Sequence, residues 1–329
     1  MNFNRNRRLR TNESIRSLVR ETILTPHDFM FPMFITEGHN VEEPIASMPG
    51  IYRRSLDLTV REVRELWNLG IRAVNIYVKV SDHLKDNKGT EAWNSDGLMQ
   101  QAIQAIKYAV PEMIVMPDTA LDPYSIYGHD GIVEKGKIVN DATVDALVKM
   151  AVSHAKAGAD FIAPSDMMDG RVFAIRAGLE QHGFHDVGIM SYAAKYASSH
   201  YGPFRDALDS APVDVQEIPK DKKTYQMDFC NRTEAVREAQ HDVQEGADIV
   251  MVKPGLPYLD IVREVKNAVN VPVAVFNVSG EYAMVKAAAA NGWIDHDKVM
   301  IEQLTCIKRA GADLISTYFA KEAAALLNG

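Results

Sequence analysis

Short apolar segments alternate with longer segments of helical periodicity along most of the chain. Amphipathic segments typical of helices include 59–70, 140–158, 232–248 and 297–313. Three of them end in Gly-Ala-Asp, at 158–160, 246–248 and 311–313, where the glycine suits a helix C-cap. Alternating strands and helices predict a parallel sheet, and eight such units are the number that closes a (β/α)8 barrel. The eight predicted strands cover residues 29–35, 72–78, 113–118, 160–165, 187–192, 248–253, 271–278 and 312–318.

A doubly wound open sheet is the alternative architecture. Its dinucleotide-binding form is disfavoured because no Gly-x-Gly-x-x-Gly follows the first predicted strand. Residues 1–28 precede the repeating pattern and are polar and rich in arginine. We therefore expect an N-terminal arm over 1–28, either disordered or wrapped around a neighbouring subunit, and a catalytic barrel over 29–329.

Composition narrows the class of protein. Of the 329 residues 47% are hydrophobic and 24% charged, which is ordinary for a soluble globular chain. The net charge of -8 argues against nucleic-acid binding, and no apolar run reaches the roughly 20 residues of a membrane span. The N-terminus has no apolar core of a secretory signal, and Glu13 and Glu21 disfavour a transit peptide. Two cysteines, Cys230 and Cys306, lack metal-type spacing, so we expect a cytoplasmic protein.

Polar side chains stand at or just after the ends of several predicted strands, where a barrel carries its chemistry. They are Asp118, Ser165, Asp166, Lys195, Lys253, Ser279 and Tyr318. Lys253 ends an apolar strand, and a desolvated amine near a second cation has a depressed pKa and can form Schiff bases with carbonyls. The alternative is a side chain that exits to solvent. Lys195, a few residues past another predicted strand, supplies the second amine and favours covalent chemistry.

Two loop segments contain further candidates. Residues 198–228 are long and polar enough for an active-site lid, on which Arg205, Lys222, Lys223 and Gln226 could hold a carboxylate. Residues 116–133 contain Asp118, Asp122, His129 and Asp130, which could bind a hard cation or move a proton. A solvated loop and plain turn chemistry are the respective alternatives.

Several motifs together resemble one enzyme family, the porphobilinogen synthases or 5-aminolevulinate dehydratases. They are "IVMVKPGLPYLDIVREV", "MSYAAKYASSHYGPFRDA", "KKTYQMD", "NVSGEYAMVKAAAANGW" and "IKRAGADLISTYFA". The resemblance covers nearly the whole chain. It implies a barrel with an N-terminal arm, a homo-octamer, and a lyase of tetrapyrrole biosynthesis. The implied reaction condenses two 5-aminolevulinate molecules to porphobilinogen with loss of two waters.

The resemblance also implies roles for individual residues. Lys253 would form a Schiff base with the propionate-side substrate and Lys195 with the acetate-side substrate. The implied substrate-binding residues are Ser279 and Tyr318 at the first carboxylate, Arg205, Lys222 and Gln226 at the second, Asp118 and Ser165 near the amino groups, and Phe204. Lys222 replaces the arginine usual in the family, which keeps the charge but loses the bidentate fork, so weaker binding of the acetate-side substrate is expected.

The implied metals differ from those of zinc-dependent members. Those members carry three cysteines where this sequence has Ala120, Asp122 and Asp130, so no catalytic zinc is expected. The sequence matches an aspartate-rich, magnesium-responsive type, in which Asp122 and Asp130 suit Mg²⁺ or no active-site metal. Glu238 matches the carboxylate of an allosteric Mg²⁺ site, beside which the basic arm of a neighbour would lie.

Two other functions stay open at this point. A lysine aldolase or lyase working through one Schiff base would explain Lys253 but not Lys195. A catalytically inactive barrel used as a scaffold would not explain why both lysines are present.

Overall fold

The computed structural model describes residues 4–212 and 218–329. Its β-strands are β1 (Phe29–Thr36), β2 (Glu42–Pro44), β3 (Tyr52–Arg54), β4 (Ala73–Lys79), β5 (Ile114–Thr119), β6 (Val133–Glu134), β7 (Lys137–Ile138), β8 (Phe161–Pro164), β9 (Gly188–Lys195), β10 (Ile249–Lys253), β11 (Val273–Asn277) and β12 (Leu314–Thr317). Its α-helices are α1 (Glu13–Leu18), α2 (Leu56–Asn68), α3 (Leu98–Ala109), α4 (Asn140–Ala157), α5 (Arg171–Gln181), α6 (Gly202–Leu208), α7 (Thr233–Glu245), α8 (Leu259–Ala268), α9 (Ser279–Ala290), α10 (His296–Ala310) and α11 (Ala320–Asn328).

Within the described ranges, eight of the strands form a closed barrel. They follow the order β1, β4, β5, β8, β9, β10, β11 and β12, and each neighbouring pair is parallel. The last strand returns to the first, with Phe29 paired to Ile315. This closure confirms the predicted (β/α)8 barrel and excludes an open sheet.

The helices bury one apolar stripe each. In α8 the buried residues are Ile261, Val262 and Val265, which recur at helical spacing, whereas Asp260 and Lys266 are not buried. The barrel strands are buried almost throughout, because side chains on one face fill the interior and those on the other pack under the helices.

The recurring Gly-Ala-Asp motif positions three strands. Gly158 and Gly246 adopt the left-handed backbone, with φ of 106° and 110°, that ends α4 and α7. The last residue of each motif is an aspartate that accepts a backbone N–H from the neighbouring strand at 2.8 Å. The pairs are Asp160 with Val115, Asp248 with Ile189 and Asp313 with Val273. Each motif therefore ends a helix and fixes the register of the next strand.

The predicted segments differ from the structure in three respects. Strand β9 extends to Lys195, past its predicted end at 192, because the small residues Ala193 and Ala194 fit the crowded barrel wall. The predicted lid, 197–227, contains helix α6, and its residues 213–217 lie outside the described residues. A two-stranded extension, β2 and β3, continues the sheet from β1.

The N-terminal arm is the least buried part of the described chain. None of residues 4–23 is buried, and Leu24 is the first buried side chain. Helix α1 is capped by the Asn12 side chain, which accepts the Ile15 N–H at 3.0 Å. The division into an arm over 1–28 and a barrel over 29–329 stays a prediction. No helix among the described residues has the length and apolar character needed to cross a bilayer.

Candidate active site

The predicted polar groups converge at the carboxyl-terminal mouth of the barrel. The space between them is about 20 Å³, close to what one water molecule needs, so the site is closed down around its own side chains. The residues that line this space are Asp122, Lys195, Tyr201, Phe204, Arg205, Ser210, Lys222, Gln226 and Lys253.

Lys195 and Lys253 are register partners on the adjacent strands β9 and β10. Neighbouring strands lie about 4.8 Å apart, and paired residues project to the same face of the sheet. Both side chains are buried, at 7% and 5% exposure. The fold therefore places two amines side by side in one cavity, which the sequence separation of the two residues does not reveal.

Lys253 lies among aromatic rings. Its Nζ is 4.4 Å from the ring centroid of Phe276, 4.9 Å from Phe204, 5.1 Å from Tyr192 and 5.4 Å from Tyr201. Among the described residues no carboxylate forms an ion pair with it. Burial, together with the nearby charge of Lys195, lowers the pKa of Lys253 to about 7. A substantial fraction of this amine is consequently neutral near pH 7.

Lys195 has a polar environment instead. Its Nζ lies 3.1 Å from Asp130 Oδ2 and also donates a hydrogen bond to the Ser165 carbonyl oxygen. Ser165 thus contributes its backbone to the site in this structure. Lys195 therefore has two oxygen partners where Lys253 has aromatic rings.

A chain of alternating charges continues from Lys195 to the lid. Lys222 Nζ lies 2.5 Å from Asp130 Oδ1 and 3.2 Å from Asp122 Oδ2. Burial by itself would raise the pKa of Asp130, but the ammonium groups of Lys195 and Lys222 outweigh it and hold that pKa well below its usual value. The same two aspartates raise the pKa of Lys222 against the effect of its burial.

Asp118, at the end of β5, differs from the other two carboxylates. It is buried, and its Oδ1 has no hydrogen-bond partner among the described residues. Burial and the neighbouring Asp122 raise its pKa to about 7, although Lys195 and Ser165 act in the opposite direction. Asp118 is therefore the carboxyl group here that can gain or lose a proton near neutral pH.

The two predicted carboxylate-binding residues after β11 and β12 are both buried. Ser279 Oγ donates to the His200 carbonyl oxygen at 3.3 Å and accepts the Phe204 N–H at 3.1 Å, which ties α9 to the start of the lid. The Tyr318 hydroxyl has no hydrogen-bond partner in the part of the chain that the structure describes. Tyr318 stacks on Phe34 at 5.9 Å, which keeps its ring within the cluster around Lys253.

Three of the predicted lid residues, Phe204, Arg205 and Gln226, line the cavity. Arg205 and Phe204 lie on α6. The backbone N–H of Gln226 donates a 2.9 Å hydrogen bond to the Lys222 carbonyl oxygen. Gln226 Oε1 is buried without a partner among the described residues. Lys223 points away from the cavity, with its side chain 69% exposed, so the structure separates it from the other lid candidates.

His129 is held by the lid rather than directed at the lysines. Its Nδ1 lies 3.1 Å from the Tyr225 hydroxyl and its Nε2 lies 2.7 Å from the Pro219 carbonyl oxygen. Both ring nitrogens are thus engaged, and burial lowers the pKa of the imidazole. Asp166 is likewise structural here, since its Oδ1 accepts the Met168 N–H at 2.7 Å.

Glu238 lies outside this cavity. It lines a separate groove of about 480 Å³ together with Glu234, Asp228 and Asp169. Gln226 lines both spaces, so the lid segment separates the groove from the lysines. Burial and the charge of Asp242 raise the pKa of Glu238, with Arg171 opposing them.

Three contributors were missed by the sequence reasoning. Tyr77 and Tyr192 share a buried 2.9 Å hydroxyl contact inside the barrel. Glu281 accepts the N–H groups of Gly255 and Val278 and so fixes the turn that follows Lys253. The strand periodicity identifies the tyrosines as interior residues, but no local pattern predicts that their hydroxyl groups meet.

The family model described as delta-aminolevulinic acid dehydratase matches residues 3–326. The chain belongs to this family. Its similar relatives include delta-aminolevulinic acid dehydratases of Halalkalibacterium halodurans, 52% identical over 100% of this chain and 98% of the relative, and of Bacillus subtilis, 52% identical over 98% and 97%. The resemblance inferred from the motifs is confirmed, and with it the assignment as a hydro-lyase, 5-aminolevulinate dehydratase.

A solved structure agrees with the sequence relatives. The delta-aminolevulinic acid dehydratase of Toxoplasma gondii ME49, in complex with the reaction product porphobilinogen, is 49% identical and superimposes with a TM-score of 0.96. The match covers 98% of this chain and 91% of that one. The barrel assignment therefore has support from a relative of the same family.

Proposed function

We propose that the protein condenses two molecules of 5-aminolevulinate to porphobilinogen through Schiff bases on both Lys253 and Lys195. The observation that carries this proposal is the register pairing of the two buried lysines at the mouth of one barrel. An aldolase with a single Schiff base needs only one of these amines. In that mechanism the second amine would serve only as a nearby charge that lowers the pKa of Lys253 and would form no adduct of its own.

Lys253 is the stronger resting nucleophile. Its pKa of about 7 makes the neutral amine available, and the surrounding rings offer no carboxylate that would hold a proton on it. The amine attacks the C4 ketone of the first substrate, and loss of one water gives an iminium ion. This iminium withdraws electrons from the neighbouring carbons and prepares them for bond formation.

Formation of the second Schiff base at Lys195 involves proton transfers, and its Nζ contacts the Asp130 carboxylate and the Ser165 carbonyl oxygen. Asp130 is a poor acceptor because two ammonium groups keep its pKa far below neutrality. Asp118, with a pKa of about 7 and a free carboxyl oxygen, is matched to proton transfer at neutral pH. We assign Asp118 as the group that moves protons between the bound substrates, and His129 as a support for the lid.

The bond changes balance over the whole cycle. Each ketone loses one water when its lysine forms a Schiff base, which accounts for both waters. A carbon–carbon bond between the substrates and a carbon–nitrogen bond from one substrate's amino group then close the ring. Each lysine leaves as an amine, and proton loss from ring carbon gives the aromatic pyrrole.

The remaining site residues hold the substrates in place. Ser279 and Tyr318 would bind the carboxylate of the substrate on Lys253, and Phe204 would cover it. Arg205, Lys222 and Gln226 would bind the second carboxylate, and Asp118 and Ser165 would lie near the amino groups. Holding both substrates under the lid makes the condensation effectively intramolecular, which lowers its entropic barrier.

The active site does not suit a divalent cation. Asp122 and Asp130 both bind the Lys222 ammonium, so these carboxylates are already engaged. We therefore route no step through a metal there. Glu238 fits Mg²⁺ better, since this ion keeps several waters and takes one or two carboxylates. Mg²⁺ at Glu238 would stabilise the lid segment beside it.

The assembly and location also belong to this proposal. The exposed arm, with Leu9, Leu18 and Ile23 accessible, suits contacts with other subunits of a homo-octamer. The net charge of -8 and the composition suit a cytoplasmic enzyme. Sedimentation of the full chain and of a chain that begins at residue 25 would test the role of the arm.

The decisive experiment is borohydride trapping with 5-aminolevulinate followed by peptide mass mapping. Reduction converts each Schiff base to a stable adduct, so both Lys253 and Lys195 should carry one. The exposed Lys223 is the matched control, because it is a nearby lid lysine that should stay unmodified. The experiment is run with EDTA and with Mg²⁺ to separate effects on binding from effects on turnover.

The outcomes discriminate between mechanisms. Adducts at both lysines support the proposal. An adduct at Lys253 alone would favour the single-Schiff-base aldolase or lyase. Folded protein without an adduct at either lysine would favour the inactive scaffold.

A further inference from the structure

Buried polar atoms without a hydrogen-bond partner mark places where a ligand completes the bonding. Among the described residues that line the cavity between the lysines, two carry such an atom, Ser210 and Gln226. Gln226 already has a role in binding the second substrate, whereas Ser210 has none. We propose that Ser210 binds the second substrate, with its hydroxyl donating a hydrogen bond to the carboxylate on the Lys195 side.

Ser210 is held in place from both sides. It follows Asp209, which ends α6 with a left-handed backbone (φ 49°) and forms a 2.6 Å ion pair with Lys79. The next residue, Ala211, packs against Gly128, where a Cβ atom would lie only 2.2 Å from the Ala211 carbonyl oxygen. A non-glycine residue in left-handed conformation is seldom retained without a reason. Here it turns the Ser210 side chain inward, to 0% exposure.

The surrounding charges identify the kind of ligand. Arg205, Lys195 and Lys222 line the same cavity, so three cationic side chains face the position of Ser210. Asp130 is already bonded to both Lys195 and Lys222, and Asp122, the carboxylate that lines this cavity, is bonded to Lys222. A hydroxyl donor among satisfied aspartates and excess positive charge suits an anionic acceptor supplied by the substrate.

The proposal rests on the two-Schiff-base mechanism, and trapping can test it at one lysine at a time. Levulinate carries the ketone and the carboxylate of the substrate but no amino group, so it can be reduced onto each lysine without condensing. Its concentration dependence is measured separately for the Lys195 and Lys253 peptides. In Ser210→Ala the half-saturating concentration at Lys195 should rise by roughly 10-fold or more, as expected for a lost hydrogen bond to a charged group, and should stay unchanged at Lys253.

Two further variants exclude a general effect on the lid. Ser210→Thr keeps the hydroxyl and should restore Lys195 trapping to within about 3-fold. Ser47→Ala is the matched control, because Ser47 donates a 3.0 Å hydrogen bond to Asp206 on the outer side of α6 and touches no cavity residue named here. It should leave trapping at both lysines unchanged.

Thermal stability supplies a second readout. Removal of a buried hydroxyl that has no protein partner should leave the ligand-free Tm unchanged or raise it, while a structural hydroxyl would lower it. Unchanged Lys195 trapping in Ser210→Ala, an equal loss at both lysines, or a lower ligand-free Tm would each overturn the proposal. Unmodified protein that shows no Lys195 adduct would overturn the two-Schiff-base mechanism itself, and this proposal with it.

Discussion

Two lysines on adjacent strands have the same chemistry but different surroundings. Lys253 lies among aromatic rings, the nearest of which is 4.4 Å from its Nζ, and it has no described carboxylate partner. Lys195, its register partner, contacts Asp130 and the Ser165 carbonyl. The aromatic environment favours the neutral form of the Lys253 amine, whereas Lys195 is held by polar contacts.

This difference shows how one barrel can bind two copies of the same substrate in two different roles. An apolar environment lowers the pKa of an amine because burial penalises the charged form. A carboxylate near the same kind of amine opposes that effect. The Lys253 amine is therefore available as a neutral nucleophile near pH 7, whereas the Lys195 amine is held by two oxygen partners, so the two substrates meet different surroundings.

The largest effect is expected when either amine is removed. Lys253→Met should lower kcat by at least about 10⁴-fold, because methionine fits the apolar surroundings but cannot form a Schiff base. Lys195→Met should be equally inactive in turnover yet still be trapped on Lys253. Steady-state assays and trapping check both variants, with Lys223→Met as control. Because Lys195→Met removes a charge that lowers the Lys253 pKa, trapping at Lys253 should be slower at pH 7 and recover at higher pH, and its complete loss at high pH would contradict a Schiff base at Lys253 that forms without Lys195.

A substantial loss of stability is expected when the polar environment is broken. Asp130→Asn leaves two buried ammonium groups without their shared carboxylate, which should lower the free energy of unfolding by about 3 kcal/mol at pH 7. Because the folded pKa of Asp130 lies well below its unfolded value, the difference from the parent should shrink as the pH falls below about 4. Urea unfolding at several pH values measures it. An equal deficit at pH 3 and pH 7 would show that the charge is not responsible.

A smaller effect is expected when a carboxylate is added to the apolar environment. Phe204 lies 4.9 Å from Lys253 Nζ, so Phe204→Glu should raise the Lys253 pKa above its value of about 7 by roughly 1–2 units. Trapping at Lys253 should then slow about 5- to 50-fold at pH 7, since the neutral fraction falls from about one half, and should recover at higher pH. Phe204→Gln is the matched control, since it loses the ring but adds no charge. Similar pH profiles for both variants would mean that the ring itself, not its lack of charge, sets the reactivity.

The smallest effect is expected at His154, because its protonation on unfolding also makes the stability depend on pH. His154 is buried in α4, neither of its ring nitrogens has a partner among the described residues, and burial lowers its pKa to about 3. The unfolded chain takes up this proton near pH 6.5, so stability is lost as pH falls from about 6.5 towards 3, by about 1.4 kcal/mol per pH unit. His154→Met should remove this dependence, whereas the exposed His39→Met should not. Unfolding free energies from pH 7 to pH 5 provide the measurement, and an unchanged slope would contradict the assignment.

Much of the architecture followed from sequence patterns alone. Eight apolar segments corresponded to the eight barrel strands, because apolar runs bounded by helical segments have few other ways to be buried. The Gly-Ala-Asp motif marked three helix ends, since glycine at the C-cap is a local requirement. The end of β9 was placed too early, because Ala193 and Ala194 have low strand preference and belong to the strand only through their neighbours.

The sequence predicted which residues belong to the site but not how those residues contact one another. The motifs predicted roles for Lys195, Lys253 and the lid residues, and those individual roles stay predictions, while the family model matches the chain as a whole. They did not indicate that Lys222 binds Asp122 and Asp130, or that both His129 nitrogens contact the lid. They also gave no reason to select Ser210, whose unpaired hydroxyl becomes apparent only when its neighbours are known.

The sequence by itself determined which residues carry reactive groups and which predicted strands they follow. The order of the strands along the chain and their hydrophobic pattern can be read from the sequence without knowledge of the fold. The tertiary structure alone decided that Lys253 faces aromatic rings while Lys195 faces a carboxylate. An amine's pKa depends on the charges and the solvent within a few ångströms, and here those neighbours come from residues as far apart along the chain as Asp130 and Phe276.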